Sequence, residues 1–279
     1  MDMKRRNLIL LAALLCFNDG NAAETAEARA ASQATANYVF AGELGSGIYD
    51  VSGRTLQVYR LPLSWDLRPP APQRPGLSII APLTLGFFDF ELRDVLSFGV
   101  PSSVDSFSLL PGIEARYLLR DDWQLVPYAQ IGVSVVNGKS DGMLYGTGVA
   151  IEHQRWHPRW RLLREGELTL ASADFRDDRD VDHFARLRAG AEARHSVGRP
   201  WREHQIELGA YAMLDVIADP PRLPVPGSEP EVLQMESGVT LGTRDALRIW
   251  WGIPLPRLGI GYRFAGDYSS WRLVFGAPF

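Results

Sequence analysis

The sequence is poor in cysteine, in excess positive charge and in long apolar runs. Cys16 is its only cysteine, so a chain that has lost its N-terminal segment has no thiol for a disulfide or a metal site. Acidic residues (33) outnumber basic ones (29), and no basic stripe indicates a nucleic-acid partner. Neither a phosphate-binding glycine loop nor a metal-ligand spacing is present. We therefore expect no cofactor, no metal and no nucleic acid.

The N-terminus is typical of a secretory signal peptide. Basic residues at 4–6 precede an apolar run at 8–17 and small residues at 21–23, in the order that a signal peptide shows. The run is too short for a membrane-spanning helix, which needs roughly 20 residues. We expect residues 1–23 to be removed. The alanine-rich residues 24–37 then form either a short plug helix or a linker, and residues 38–279 form one domain.

Alternation of apolar and polar residues dominates that domain. From Ile206 to Val216 every second residue is apolar, while Glu207, Gly209 and Asp215 lie between them. Successive side chains on a strand point to opposite faces, so each such run has one apolar and one polar face. The runs reach roughly ten to fifteen residues, which exceeds ordinary soluble strands and fits membrane strands. The pattern therefore predicts an all-β fold, a transmembrane antiparallel up-and-down β-barrel of a Gram-negative outer membrane.

The pattern predicts about twelve strands, with short periplasmic turns and longer extracellular loops. Within residues 247–264 the alternation changes phase at two prolines, Pro254 and Pro256. We expect a β-bulge there, and a turn that divides the segment is the alternative. The predicted strands are 38–50, 55–67, 76–89, 105–119, 123–137, 143–155, 160–172, 184–196, 204–217, 231–243, 247–264 and 270–279. Aromatic residues are expected at the periplasmic interface (Trp65, Tyr117, Trp123, Trp160) and at the outer one (Phe87, Phe107, Phe264, Trp271).

The C-terminal strand carries a family resemblance. It reads Trp271-Arg-Leu-Val-Phe-Gly-Ala-Pro-Phe279, with Trp271, Leu273, Phe275 and Phe279 on one face. Together with residues 256–270 it resembles the solitary outer-membrane autotransporter-like β-barrel domain family. The resemblance implies a barrel similar to an autotransporter translocator but without a secreted passenger, recognition of Phe279 by the barrel-assembly machinery, and no catalytic residue. An ordinary last strand that ends in phenylalanine is the alternative.

Charged residues recur on the polar face of three consecutive predicted strands. They are Glu165, Glu167, Arg186, Arg188, Glu192, Arg194, Glu207 and Asp215. Antiparallel neighbours bring such acids and bases within reach of one another. Two interpretations follow: a salt-bridge network that fills a narrow lumen, or a selectivity lining for an ion or small solute.

These features favour a structural or narrow, porin-like channel protein in contact with outer-membrane lipid, and not an enzyme. Two alternatives stay open, a translocator for a separately encoded partner and an outer-membrane hydrolase with a loop-borne site. A lipase needs histidine and serine together on the lipid-facing surface, and His153 and His157 have no serine in reach on their strand. Asp182 and His183 would suit a protease at the outer rim. A rim cluster of His, Asp and Ser would favour the hydrolase.

Overall fold

The computed structural model describes only part of the chain. The described ranges are 46–51, 54–88, 106–136, 140–175, 182–200, 204–218, 232–244, 248–249, 253–254, 257–265, 268–276 and 278–279. The predicted signal peptide and the alanine-rich segment lie outside these ranges, as do most residues of the predicted extracellular loops. In the described ranges no helix has the length and apolar character needed to cross a membrane.

Seventeen β-strands make up the described secondary structure. They are β1 (Gly47–Val51), β2 (Arg54–Leu61), β3 (Ser64–Arg68), β4 (Gly76–Ile80), β5 (Leu83–Phe88), β6 (Ser106–Leu109), β7 (Gly112–Arg120), β8 (Trp123–Val136), β9 (Ser140–Trp156), β10 (Trp160–Phe175), β11 (Asp182–Ser196), β12 (Ile206–Ala218), β13 (Leu233–Thr243), β14 (Arg248–Ile249), β15 (Ile253–Pro254), β16 (Leu258–Ala265) and β17 (Tyr268–Phe275). The predicted all-β class is thus confirmed for the part of the chain that the structure describes.

Fifteen of these strands form a single antiparallel up-and-down sheet. Most strands pair with a strand adjacent in the chain, but β2 pairs with β5, β4 with β7 and β6 with β8. β1 pairs with both β2 and β17. β8 pairs with β9, which joins the two halves of the sheet. The pairings can therefore be followed from β1 through β17, β16, β13, β12, β11, β10, β9, β8, β6, β5 and β2 back to β1, while β7, β4 and β3 continue from β8.

Prolines interrupt three adjacent strands of this sheet at neighbouring positions across the sheet. β2 and β3 are separated at Pro62, β4 and β5 at Pro82, and β6 and β7 at Pro111. Proline has no N–H to donate to the ladder, so each strand loses its pairing there and resumes it afterwards. Counting each interrupted pair as one strand, the main sheet has twelve strands over the described residues, in line with the prediction.

The prediction of one bulged strand over residues 247–264 is wrong. β14 and β15 pair only with each other in a separate two-stranded sheet, and β16 alone continues the main sheet from Leu258. Pro254 and Pro256 account for the break, because neither can donate to a neighbouring strand.

The two faces of the main sheet have opposite polarity. The inward face buries charged side chains, among them Arg263 and Glu192, both 0% exposed. The outward face exposes large apolar side chains, such as Ile113 (60%) and Leu187 (55%). Alternation along each strand produces both faces at once. Phe87, predicted at the outer interface, departs from this rule: it is buried, edge-on to Tyr59 at 5.8 Å between ring centroids.

The last residues turn into the ring of strands. β17 ends at Phe275, and Gly276 has φ 96°, a conformation that favours glycine. The ring of Phe279 packs on the inward cluster of Tyr211, Met213 and Val274. The prediction that Phe279 shares the outward face of the last strand is therefore wrong, because the strand and its alternation of side chains stop before Gly276.

Candidate functional site

The eight charged residues predicted for the lumen all lie on the inward face. Arg186, Arg188, Glu192, Arg194, Glu207 and Asp215 are buried, and Glu165 and Glu167 are partly buried. β10, β11 and β12 are adjacent, so the structure brings these residues together. A role in selecting a solute stays a prediction.

Asp215 is the centre of one group of ion pairs. Arg188, directly opposite on the neighbouring strand, binds it in a two-point fork: Nε to Oδ1 at 2.7 Å and Nη2 to Oδ2 at 3.1 Å. Arg263 Nη2 approaches Asp215 Oδ2 at 3.3 Å from β16. The fork geometry suits a guanidinium and a carboxylate, and it fixes both side chains.

Glu236 on β13 extends this group. Its Oε2 accepts a hydrogen bond from Arg263 Nε at 2.8 Å, and its Oε1 accepts one from the Tyr211 hydroxyl at 2.6 Å. Arg272 Nε lies 2.7 Å from the same Oε1. Arg263 thus connects two buried carboxylates, one on each side of it.

A second group surrounds Glu192 and Glu207 nearer the short turns. Arg161 Nη2 donates to Glu207 Oε2 at 2.7 Å, and Arg194 Nη2 donates to Glu192 Oε2 at 2.6 Å. Arg257 lies between the two carboxylates, 3.4 Å from Glu207 and 3.7 Å from Glu192. Arginines outnumber carboxylates among these five residues, all of which are buried.

A third group lies toward β8. The Tyr128 hydroxyl donates to Glu167 Oε1 at 2.7 Å, and Arg186 Nη2 donates to Glu167 Oε2 at 3.0 Å. Glu165, on the same face, stands directly opposite Glu152 of β9. A cavity of about 410 Å³ opens beside these two glutamates, and Arg116 and Phe279 also line it. The cavity thus lies beside the paired charges of the described interior.

Two histidines near the short turns pack against tryptophan rings at a tilt. His153 packs on Trp123 at 4.6 Å between ring centroids, and its Nε2 lies 3.1 Å from Asp122 Oδ2. His195 packs on Trp160 at 4.5 Å. His153 is buried and His195 is partly buried. Among the described residues no group of three or more His, Cys, Asp or Glu is placed to hold a metal ion.

A separate polar group lies on the outward face at the opposite end of the strands. Ser172 of β10 is directly opposite His183 of β11 on one side and Tyr145 of β9 on the other. All three belong to the outward series of their strands, because Leu170 and Leu187, two and four residues away, are exposed. Asp174 follows Ser172 by two residues on the same face and is exposed.

The sequence alone did not reveal two parts of these groups. Arg263, Arg272 and Glu236 could have been placed inward from the alternation of their own strands, in which Tyr262, Trp271 and Met235 are outward. The pair Ser172–His183 was hidden because the predicted strands stopped at 172 and began at 184. In the structure β10 and β11 continue pairing to Ala173 and Asp182.

Comparison with known proteins gives little information about this chain. No known family model matches the sequence, and no curated protein matches it. Among solved structures, LpxR from Salmonella typhimurium matches with a TM-score of 0.38 and 11% identity, over 88% of this chain and 95% of that one. The resemblance to the autotransporter-like family is not supported by any of these comparisons.

One expectation is corrected by this match. The match is to an enzyme, so the expectation that the chain is not an enzyme is contradicted and we withdraw it. At this TM-score the likeness carries no argument about what the chain itself acts on.

Proposed function

We propose that the chain is a transmembrane β-barrel of a bacterial outer membrane whose interior is closed by ion pairs. One observation carries the proposal: the polarity of the two faces is inverted relative to a water-soluble protein. Charged side chains such as Arg263, Glu192 and Glu207 are the buried ones, while leucine, isoleucine and valine are exposed along the outward face. A soluble protein rarely exposes a continuous apolar surface of this extent, whereas hydrocarbon covers it in a membrane barrel.

The arrangement along the barrel axis supports a membrane rather than a protein partner. Exposed Trp65, Tyr117, Trp156 and Trp160 lie at the end with short turns. Exposed Phe264 and Trp271 lie at the other end, toward the longer connections. Two aromatic girdles around an apolar band are typical of outer-membrane barrels. The predicted signal peptide agrees with export across the inner membrane.

The ion pairs favour a closed interior over a pore. Asp215, Glu236, Arg263 and Arg272 are each 5% exposed or less, so their charges are satisfied by one another rather than by a water column. A wide lumen, which a translocator for a separate partner needs, is not favoured by this arrangement. Outer-membrane lipid is the partner that the exposed surface implies. Recognition by the barrel-assembly machinery would rest on the outward Trp271 and Leu273, since Phe279 is turned inward.

Conductance in planar bilayers tests the closed interior. Protein that is shown to be folded by heat-modifiable migration should give a silent bilayer. Arg188→Gln removes the two-point contact of Arg188 with Asp215. This variant serves as the comparison, because it tests whether the inward ion pairs close the barrel to ions. Steady conductance of the unaltered protein, with ion selectivity that shifts in Arg188→Gln, would establish a pore and contradict the proposal.

A further inference from the structure

We propose that Ser172, His183 and Asp174 form an ester-hydrolysing site on the lipid-facing surface, acting on the acyl esters of a membrane lipid. The inference rests on the proposed membrane barrel, because the same surface would be solvent-exposed in a soluble protein. The starting point is the register of three strands, which aligns Tyr145, Ser172 and His183 in one row.

The register brings a nucleophile and a base together. Side chains of directly opposite residues on antiparallel strands point to the same face, with Cβ atoms about 4.5–5.5 Å apart. A serine hydroxyl and an imidazole nitrogen are within hydrogen-bond reach at that separation after side-chain rotation. The two are not hydrogen-bonded to each other in the described structure, and such a bond often tightens only in the substrate complex.

Asp174 completes the arrangement as a positioning residue. It lies on the outward face two residues beyond Ser172, and is thus diagonal to His183 across the β10–β11 pair. Diagonal neighbours lie about 7–8 Å apart, within reach of side chains as long as histidine. A carboxylate there can orient the imidazole and stabilise its protonated form, as the acidic member does in a Ser-His-Asp triad.

The depth of the site identifies the substrate class. Trp160, at the interface with the short turns, precedes Ser172 by twelve residues on β10. At a rise of about 3.3 Å per residue and a strand tilt of about 40°, this spacing is about 30 Å along the membrane normal. The hydrocarbon layer has about that thickness. Ser172 therefore lies where acyl chains meet their headgroups, which is the level of lipid ester bonds.

The surroundings favour an acyl chain below the site. Leu170 and Leu187 are exposed on the outward face next to it, toward the membrane centre. Tyr145 is 41% exposed on the far side of Ser172 from His183. Its phenol is a hydrogen-bond donor of the kind that stabilises an oxyanion.

The reaction uses water as its second substrate. Ser172 Oγ attacks the ester carbonyl carbon while its proton passes to His183. The tetrahedral intermediate collapses, the bond to the lipid alcohol breaks, and the alcohol leaves with the proton from His183. Water then attacks the acyl-serine and gives one proton to His183. The fatty acid departs, and the proton returns to Ser172.

The experiment uses the full chain, folded in detergent and in phospholipid vesicles with or without lipopolysaccharide. Labelling by a fluorophosphonate, located by mass spectrometry, reports an activated serine. Fatty-acid release from each vesicle type distinguishes a phospholipid from a lipopolysaccharide substrate. Ser237→Ala is the matched control, because Ser237 is an exposed outward serine that faces Ala212 and Tyr262 rather than a histidine. Heat-modifiable migration and vesicle flotation are recorded for every variant.

The expected result is labelling of Ser172 and fatty-acid release, both unchanged in Ser237→Ala and lost in Ser172→Ala. His183→Ala should reduce kcat/KM by about 100-fold or more. Asp174→Asn should lower kcat with little change in KM, because the carboxylate that orients the imidazole is lost. A barrel that floats with vesicles but neither labels nor releases fatty acid, or a Ser172→Ala variant that still does both, would overturn the site. A folded chain that does not float would overturn the membrane proposal as well.

Discussion

Neutralising Asp215 should strongly destabilise the folded barrel. Asp215→Asn keeps the size of the side chain but removes the charge that Arg188 binds through two contacts, at 2.7 and 3.1 Å. Arg188 and Arg263 are 6% and 0% exposed, so neither can recover its lost partner from water. Removing one member of a buried ion pair costs about 3–5 kcal/mol. Because Arg263 keeps its contact with Glu236, we expect a loss near the lower end of that range.

The assay is urea unfolding in lipid vesicles, followed by heat-modifiable gel migration. Glu114→Gln is the control, since its partner Arg116 has a side chain that is 39% exposed and a pair of that kind contributes about 0–1 kcal/mol. The double variant Asp215→Asn/Arg188→Met removes both charges and should recover much of the lost stability. If Asp215→Asn unfolded at the same urea concentration as Glu114→Gln, the buried network would not contribute as argued.

Two further predictions concern the outward face and the inward turn. Leu187→Arg, near the middle of β11 on the exposed face, should cost about 2–4 kcal/mol of unfolding free energy in vesicles, because a charge would enter hydrocarbon. Leu187→Ala is its control, and equal losses in the two variants would argue against lipid contact. Gly276→Ala should cost about 1–2 kcal/mol, because φ is 96° there and a residue with a Cβ is strained in that conformation. Gly166→Ala, whose added Cβ meets only Ile151 at 3.4 Å, should cost less in the same gel assay, and a reversed order would refute the role of the turn.

Much of the fold could be predicted because strand alternation is a local property. Each residue of a strand points opposite to its neighbours, so the inward placement of Arg186, Arg188 and Asp215 follows from the apolar residues between them. Strand ends were less predictable. β10 and β11 extend beyond their predicted limits, since pairing between strands can continue into polar residues such as Asp174 that sequence reading assigns to loops.

The all-β class, the number of about twelve strands and the residues that share a face could be predicted from residue order, since they depend on residues close together in the chain. Which residues meet across strands depends on the register of the folded sheet. The register places Arg188 opposite Asp215 and Ser172 opposite His183, and it brings Arg263 between two carboxylates. It also shows Phe279 packed inside. A shift of one residue in a strand pairing would change the contacts across that pairing, and the register cannot be read from the alternation within one strand.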